Sequence, residues 1–150
     1  MKKTPLIHIT VVALLLTGVL FGAEPSAKDA GHLGTWRLIS TKYGDAKEFS
    51  DVSKDEPHIK IITPTHFIWV IYDSKTKLVS ASMGGSCRVQ GSNYTETIEY
   101  FFPEGMKVYL GKEQVFTIKI EGDKLFQSGR LSDGMKIEEV WQRVRQQSLP

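Results

Sequence analysis

From Gly34 onward, apolar residues recur at every second position, which is the period of β-strands and not of helices. Nine segments alternate in this way and are rich in β-branched and aromatic residues: 35–43, 58–63, 66–72, 78–83, 86–89, 93–102, 114–121, 124–129 and 136–144. Short turns join most of them: Thr63-Pro64-Thr65, Asp73-Ser74-Lys75, Gln90-Gly91-Ser92, Glu121-Gly122-Asp123 and Ser132-Asp133-Gly134. The pattern predicts an all-β, antiparallel up-and-down β-barrel of about 8–10 strands, with an open sandwich as the alternative.

Three segments interrupt this regular pattern. Gly84-Gly85 predicts a bulge that lets the sheet curve. Residues 44–57 and 103–112 form longer connections, which are either lids over an open barrel end or ordinary surface loops. The composition of residues 45–49 allows one or two helical turns.

The first 23 residues have the composition of a secretory signal peptide. Lys2 and Lys3 precede an apolar run over residues 6–21, and Gly22-Ala23 supplies small residues for cleavage. An uncleaved anchor is the alternative, although the run is short for a membrane span. We expect an exported bacterial protein, periplasmic or extracellular, with a signal peptide over 1–23, a flexible linker over 24–32, one barrel domain over 33–145 and a disordered tail over 146–150.

Removal of that signal peptide leaves a chain without net charge. Two of the 19 basic residues lie in it, and the remaining 17 balance the 17 acidic residues. The basic character of the whole chain is therefore no argument for nucleic acid or an anionic membrane as a partner, and we expect neither after cleavage. Cys87 is the single cysteine, so no internal disulfide forms, and we expect a buried apolar residue there rather than a redox or nucleophilic thiol.

One face of the alternating strands is strongly apolar and is predicted to point into the barrel. Its members are Trp36, Leu38, Ile59, Ile61, Phe67, Trp69, Ile71, Tyr94, Ile98, Tyr100, Phe116, Ile118, Ile120, Leu125, Ile137 and Trp141.

Glu96, Gln127 and Glu139 interrupt this face. Because a buried carboxylate is costly unless it is paired or hydrated, the three residues indicate a hydrated cavity that binds a small molecule. They would orient the polar groups of the ligand, and the walls would be Trp69, Tyr94, Tyr100 and Trp141.

Other interpretations of the two acids stay open. Each would serve only the fold if it paired with an internal arginine, such as Arg37 or Arg143. A register shift of one residue would place both acids in solvent. As a third possibility, Glu96 and Glu139 are a general acid and base, the pair of groups that hydrolyses glycosides.

Gly34-Thr35-Trp36 begins the first strand, and Arg143 lies near the end of the last. We expect these two strands to meet and the Arg143 guanidinium to stack on Trp36 at the closed end of the barrel. The alternative makes Arg143 an anion ligand.

At these residues the chain resembles the lipocalin-like, calycin-type barrels. It more closely resembles a family of small secreted bacterial lipocalin-like proteins of unknown function. The shared motifs are Ile62-Thr63-Pro64-Thr65-His66-Phe67-x-Trp69-Val70, Tyr94-Thr95-Glu96, Ile98-Glu99-Tyr100, Gln127-Ser128-Gly129 and Lys136-Ile137-Glu138-Glu139-Val140-Trp141. The resemblance spans about residues 33–144 and implies an antiparallel barrel that binds small apolar or amphipathic molecules. The chain departs from typical secreted lipocalins in its shortness and its lack of a disulfide.

No sequence motif indicates a metal, a cofactor or a specific reaction. His32, His58 and His66 lack metal-ligand spacing, and phosphate-loop, dinucleotide and nucleophile-elbow motifs are missing. The favoured hypothesis is a barrel that binds a small ligand without catalysis. The alternatives are an enzyme that uses Glu96 and Glu139, and a protein-interaction module with a solid core and a contiguous apolar patch outside the barrel.

Overall fold

The computed structural model describes residues 29–145, in which eight antiparallel strands close into a barrel. The strands are β1 (Gly34–Tyr43), β3 (His58–Ile62), β4 (His66–Tyr72), β5 (Val79–Gln90), β6 (Asn93–Phe102), β7 (Glu113–Glu121), β8 (Lys124–Arg130) and β9 (Lys136–Arg143), with a two-residue strand β2 (Ser50–Asp51) beside β1. Consecutive barrel strands are neighbours, and β1 also pairs with β9, which closes the sheet. The predicted fold class is therefore confirmed. The expected signal peptide and tail lie outside the described residues.

The predicted segments correspond to these strands within a residue or two, with one exception. Segments 78–83 and 86–89 form the single strand β5, and a register shift at Gly84-Gly85 lies where the bulge was predicted. The extra residue at this bulge is Glu99 of β6, because Gly84 lies opposite Tyr100 and Gly85 opposite Ile98.

The two long connections differ in their role. Residues 44–57 contain no helical turn; instead β2 pairs with Ser40 and Thr41 of β1, beyond the point where β3 leaves that strand. This connection fills the gap in the barrel wall between β1 and β3. The other connection contains a 3₁₀ helix, Glu104–Tyr109, which follows β6 at one end of the barrel.

Trp36 and Arg143 close the opposite end. The Arg143 guanidinium lies 4.1 Å from the centre of the Trp36 ring and donates hydrogen bonds to the carbonyl oxygens of Leu33 and Gly31. The Trp36 indole donates to the carbonyl of His32. Gly34 has a φ of +121°, and a Cβ there would lie 3.0 Å from the guanidinium, so this approach requires glycine.

A short 3₁₀ turn precedes the first strand. Residues 29–32, which we expected to be flexible, form a 3₁₀ turn, Asp29–His32. The hydrogen bonds from Trp36 and Arg143 hold its backbone against the barrel.

Two predictions of strand face are wrong. On β3 the inward residues are Lys60 and Ile62, whereas Ile59 and Ile61 point outward and Ile61 is 41% exposed. On β6 the extra residue at the bulge reverses the alternation, so Tyr100 lies outside, 48% exposed, with its ring across Gly84.

The barrel interior has a packed half and a hollow half. A continuous apolar cluster fills the half next to Trp36 and extends to the cavity wall through Phe116, Ile137 and Trp141; its other members are Trp36, Leu38, Ile62, Tyr94, Ile118 and Leu125. The half next to the 3₁₀ helix contains a cavity. Within residues 29–145 no helix is long and apolar enough to cross a membrane.

Candidate functional site

A cavity of about 240 Å³ occupies the hollow half of the barrel. Its wall is mostly apolar and consists of Phe67, Trp69, Ile71, Met83, Met106, Phe116, Leu131, Met135, Ile137 and Trp141. Its polar lining consists of Tyr43, His58, Lys60, Glu96, Tyr109, Gln127 and Glu139. An apolar wall with a few convergent polar groups is the usual composition of a small-molecule site, and the volume is near the lower limit of such pockets, roughly 300 Å³.

A polar layer forms the floor of the cavity. Lys60 Nζ lies 2.7 Å from Glu96 Oε1 and 3.1 Å from Gln127 Oε1. Lys60, Glu96 and Gln127 are 4%, 6% and 2% exposed. The ammonium also lies over the Trp141 ring, 4.9 Å from its centre. The ammonium therefore has two oxygen partners and an aromatic face beside it, which together compensate much of its charge.

The sequence prediction missed four polar residues of the lining, Tyr43, His58, Lys60 and Tyr109, of which Lys60 is the charged one. The alternative interpretation named Arg37 or Arg143 as the internal cation, but Arg37 is exposed and Arg143 stacks on Trp36 outside this layer. A signal was present: two inward acids require a cation, and shifting β3 by one residue supplies it at Lys60.

Glu139 lies beside this layer without a cation of its own. It is 9% exposed; its Oε1 accepts a hydrogen bond from the Tyr43 hydroxyl at 2.6 Å, and its Oε2 accepts one from the Trp141 indole at 3.0 Å. No basic side chain of residues 29–145 lies within ion-pair distance of it. Burial raises the pKa of Glu139 above its ordinary value, and the charge of Lys60 opposes this only in part.

Of the seven residues predicted to bind a ligand, five line the cavity: Trp69, Glu96, Gln127, Glu139 and Trp141. Tyr94 is fully buried in the packed half below the floor, where burial and the nearby Glu96 carboxylate raise the pKa of its phenol. Tyr100 lies on the outer surface. The two acids are inside the barrel, so the register shift that would expose them is excluded.

One hydrogen bond crosses the mouth of the cavity. The Tyr109 hydroxyl, at the end of the 3₁₀ helix, donates to Asp133 Oδ2 of the β8–β9 turn at 2.6 Å. Buried Gln114 holds the same turn, since its side chain accepts from the Ser132 backbone and donates to the Ser132 hydroxyl. The connection over 103–112 therefore covers the mouth, as the lid interpretation predicts.

His58 is the remaining polar group of the lining. Its Nδ1 is buried without a hydrogen-bond partner, and its ring meets Trp69 edge to face. Burial lowers the pKa of His58, so the imidazole is mainly neutral near pH 7. Among residues 29–145 no three His, Cys, Asp or Glu side chains are grouped closely enough to hold a metal ion.

The outer surface of β3–β6 carries two apolar rows across the strands. One row joins Ile61, Ile68 and Tyr100 through Gly84, and the other joins Ile59, Val70 and Phe102 through Ser82. The interaction-module hypothesis required such a patch together with a solid core. The patch is present, but the interior is hollow.

Comparison with known proteins identifies the fold. No protein-family model and no curated protein matches the chain. A lipocalin-like protein from Bacteroides uniformis is 12% identical with a TM-score of 0.55, and the match covers 76% of this chain and 99% of that one. An uncharacterized protein from Bacteroides eggerthii is 12% identical with a TM-score of 0.53, covering 75% of this chain and 98% of that one. The predicted resemblance is confirmed for the fold: the chain is a lipocalin-like barrel.

Proposed function

We propose that the protein is an exported carrier or sensor that holds a small apolar or amphipathic molecule inside its barrel. The observation that carries this proposal is the cavity of about 240 Å³ with an apolar wall and a polar floor. A barrel that needed only stability would fill this space, because empty volume in a core costs free energy. Export is proposed from the signal-peptide composition of the first 23 residues.

The enzyme hypothesis has less support in the geometry. A general acid and base need carboxyl groups that can exchange protons with a substrate. Glu96 is instead engaged by Lys60 at 2.7 Å in a layer that forms the cavity floor. Only Glu139 is free of an ion pair, and one carboxyl group does not make the pair that this hypothesis requires.

Titration with a neutral hydrophobic fluorophore, N-phenyl-1-naphthylamine, tests the proposal. We expect saturable binding to the wild-type protein and a loss of affinity of at least about tenfold in Ile71→Trp, whose new indole occupies the cavity. Ile61→Trp adds the same volume on the exposed face of β3 and is the matched control.

Equal affinities of the two folded variants would place the fluorophore outside the barrel and contradict the proposal. If the proposal holds, native mass spectrometry of the protein purified from its own organism would identify the natural ligand. The mass of the same protein would also show whether the first 23 residues have been removed.

A further inference from the structure

The charges inside the cavity do not balance. Near neutral pH the cavity lining contains one cation, Lys60. It contains two carboxyl groups, those of Glu96 and Glu139. The ammonium pairs with Glu96, so an ionised Glu139 has only two neutral donors, the Tyr43 hydroxyl and the Trp141 indole. With Glu139 ionised, the interior of the empty protein would therefore lack one positive charge, and this deficit is what a bound cation would supply.

An anionic ligand does not fit this arrangement. The Lys60 ammonium already pairs with Glu96, donates to Gln127 and lies over the Trp141 ring, so its charge is largely compensated before a carboxylate or phosphate could arrive. Tyr43 and Trp141 likewise direct their donors at Glu139. An anion in the cavity would also lie close to the Glu139 carboxylate, and this repulsion is strong in a low-dielectric interior.

We propose that the natural ligand is a cationic amphiphile, a protonated amine with an apolar body, whose ammonium pairs with Glu139. Each Glu139 oxygen has accepted one hydrogen bond and can accept another. The aromatic faces of Trp69, Phe116 and Trp141 line the same cavity and favour a cation near them. This inference depends on the proposed function and defines its ligand class.

The raised pKa of Glu139 agrees with a site that is completed by its ligand. A carboxyl group whose pKa is raised by burial becomes ionised more readily when a cation arrives, so binding of an amine releases protons. The other titratable groups around it are Tyr43 from β1, His58 and Lys60 from β3, Glu96 from β6 and Tyr109 from the 3₁₀ helix.

Three ligands with one tail and different head groups test the inference: octylamine, octanoate and 1-octanol, each measured by displacement of the neutral fluorophore. We expect octylamine to bind at least about tenfold more tightly than octanoate. Glu139→Gln should weaken octylamine about tenfold and leave 1-octanol nearly unchanged. Glu138→Gln, which removes a carboxylate from the outer face of the same strand, should change neither.

A pH series on the wild-type protein gives a second measurement that needs no variant. Octylamine affinity should fall as the pH is lowered through the raised pKa of Glu139, because protonation removes the charge that attracts the ammonium. The affinity for 1-octanol should stay level. Tighter binding of octanoate than octylamine, or an unchanged octylamine affinity in Glu139→Gln, would overturn the inference but leave the proposed function intact. Failure of all three ligands and of the fluorophore to bind would overturn both.

Discussion

Lys60 offsets the free-energy cost of burying the Glu96 carboxylate inside the barrel. A buried carboxylate without a partner is strongly unfavourable, whereas a buried pair with additional hydrogen bonds is nearly neutral compared with apolar residues. Glu96 has such a partner at 2.7 Å, and Gln127 satisfies a further donor of the same ammonium. The pair therefore lets a polar floor exist between an apolar core and the cavity.

Removal of the Lys60 ammonium should be costly. Lys60→Met leaves Glu96 buried without a cation, and we expect the free energy of unfolding, measured by urea denaturation, to fall by about 3–5 kcal/mol. Lys60→Met combined with Glu96→Leu should recover most of this loss, because no charge then remains to be buried.

Lys119→Met is the matched control for that substitution. Lys119 pairs with Glu121 on the outside, where both side chains are more than half exposed. Its loss should cost about 0–1 kcal/mol. If Lys60→Met cost no more than this control, the buried pair of Lys60 and Glu96 would not stabilise the fold as argued.

The 3₁₀ helix and the β8–β9 turn act together as a cover for the cavity. Their link is the hydrogen bond from Tyr109 to Asp133, and their apolar contributions to the cavity wall include Met106 and Met135, which are flexible side chains. Burial and Asp133 raise the pKa of Tyr109 to about 12, and the tyrosine holds the pKa of Asp133 below its ordinary value. The link therefore persists at neutral pH; it weakens as the pH falls through the lowered pKa of Asp133 or rises through the raised pKa of Tyr109.

Loss of this link should speed ligand exchange. Tyr109→Phe removes one hydrogen bond, worth about 1 kcal/mol, so we expect the binding and release rates of the neutral fluorophore to rise about fivefold in stopped-flow experiments. Its equilibrium affinity should change less than the rates, because the cavity wall is retained. Tyr100→Phe, on the outer surface, is the control and should alter neither rate. Unchanged rates in Tyr109→Phe would mean that ligands enter by another path.

The two wrong predictions of strand face, on β3 and on β6, have different physical causes. On β3 the residues Ile59, Ile61 and Ile62 make both faces apolar, so five residues of alternation do not decide which face is inside. On β6 the alternation was clear, but the bulge at Gly84-Gly85 adds Glu99 and reverses every residue after it. The bulge was predicted from its glycines; the strand that carries the extra residue depends on pairing, which the sequence does not show.

At the scale of the whole molecule, the Trp36–Arg143 closure and the cavity lie at opposite ends of the barrel. Trp36 and Arg143 were predictable as a pair because they occupy the first and last strands of a closed sheet. The five cavity-lining residues were predictable because polar groups interrupt an apolar face. The cavity volume and the position of the cover depend on long-range packing and were not predictable.

Truncation of Arg143 should lower the stability of the protein without changing its affinity for the fluorophore. Arg143→Ala removes the stacking on Trp36 and the hydrogen bonds to the carbonyls of Gly31 and Leu33, so we expect a loss of roughly 2–4 kcal/mol in the free energy of unfolding. Affinity for the neutral fluorophore should stay within about twofold of the wild type at low denaturant, because the cavity is at the other end.

Arg145→Ala is the matched control, since Arg145 pairs with Asp123 on the surface. It should cost no more than about 1 kcal/mol. A large loss of fluorophore affinity in folded Arg143→Ala would contradict the separation of the two ends.

The polar floor has a consequence for the evolution of proteins that share this barrel. Because Lys60, Glu96 and Gln127 divide the interior, substitutions above them change the shape and charge of the chamber while the apolar cluster below keeps the barrel folded. If the cavity holds a ligand as proposed, lineages that inherit this barrel can exchange one ligand for another by changing a few cavity-lining residues. Sequence divergence should accordingly be concentrated at the mouth and chamber, and the closed end should change slowly.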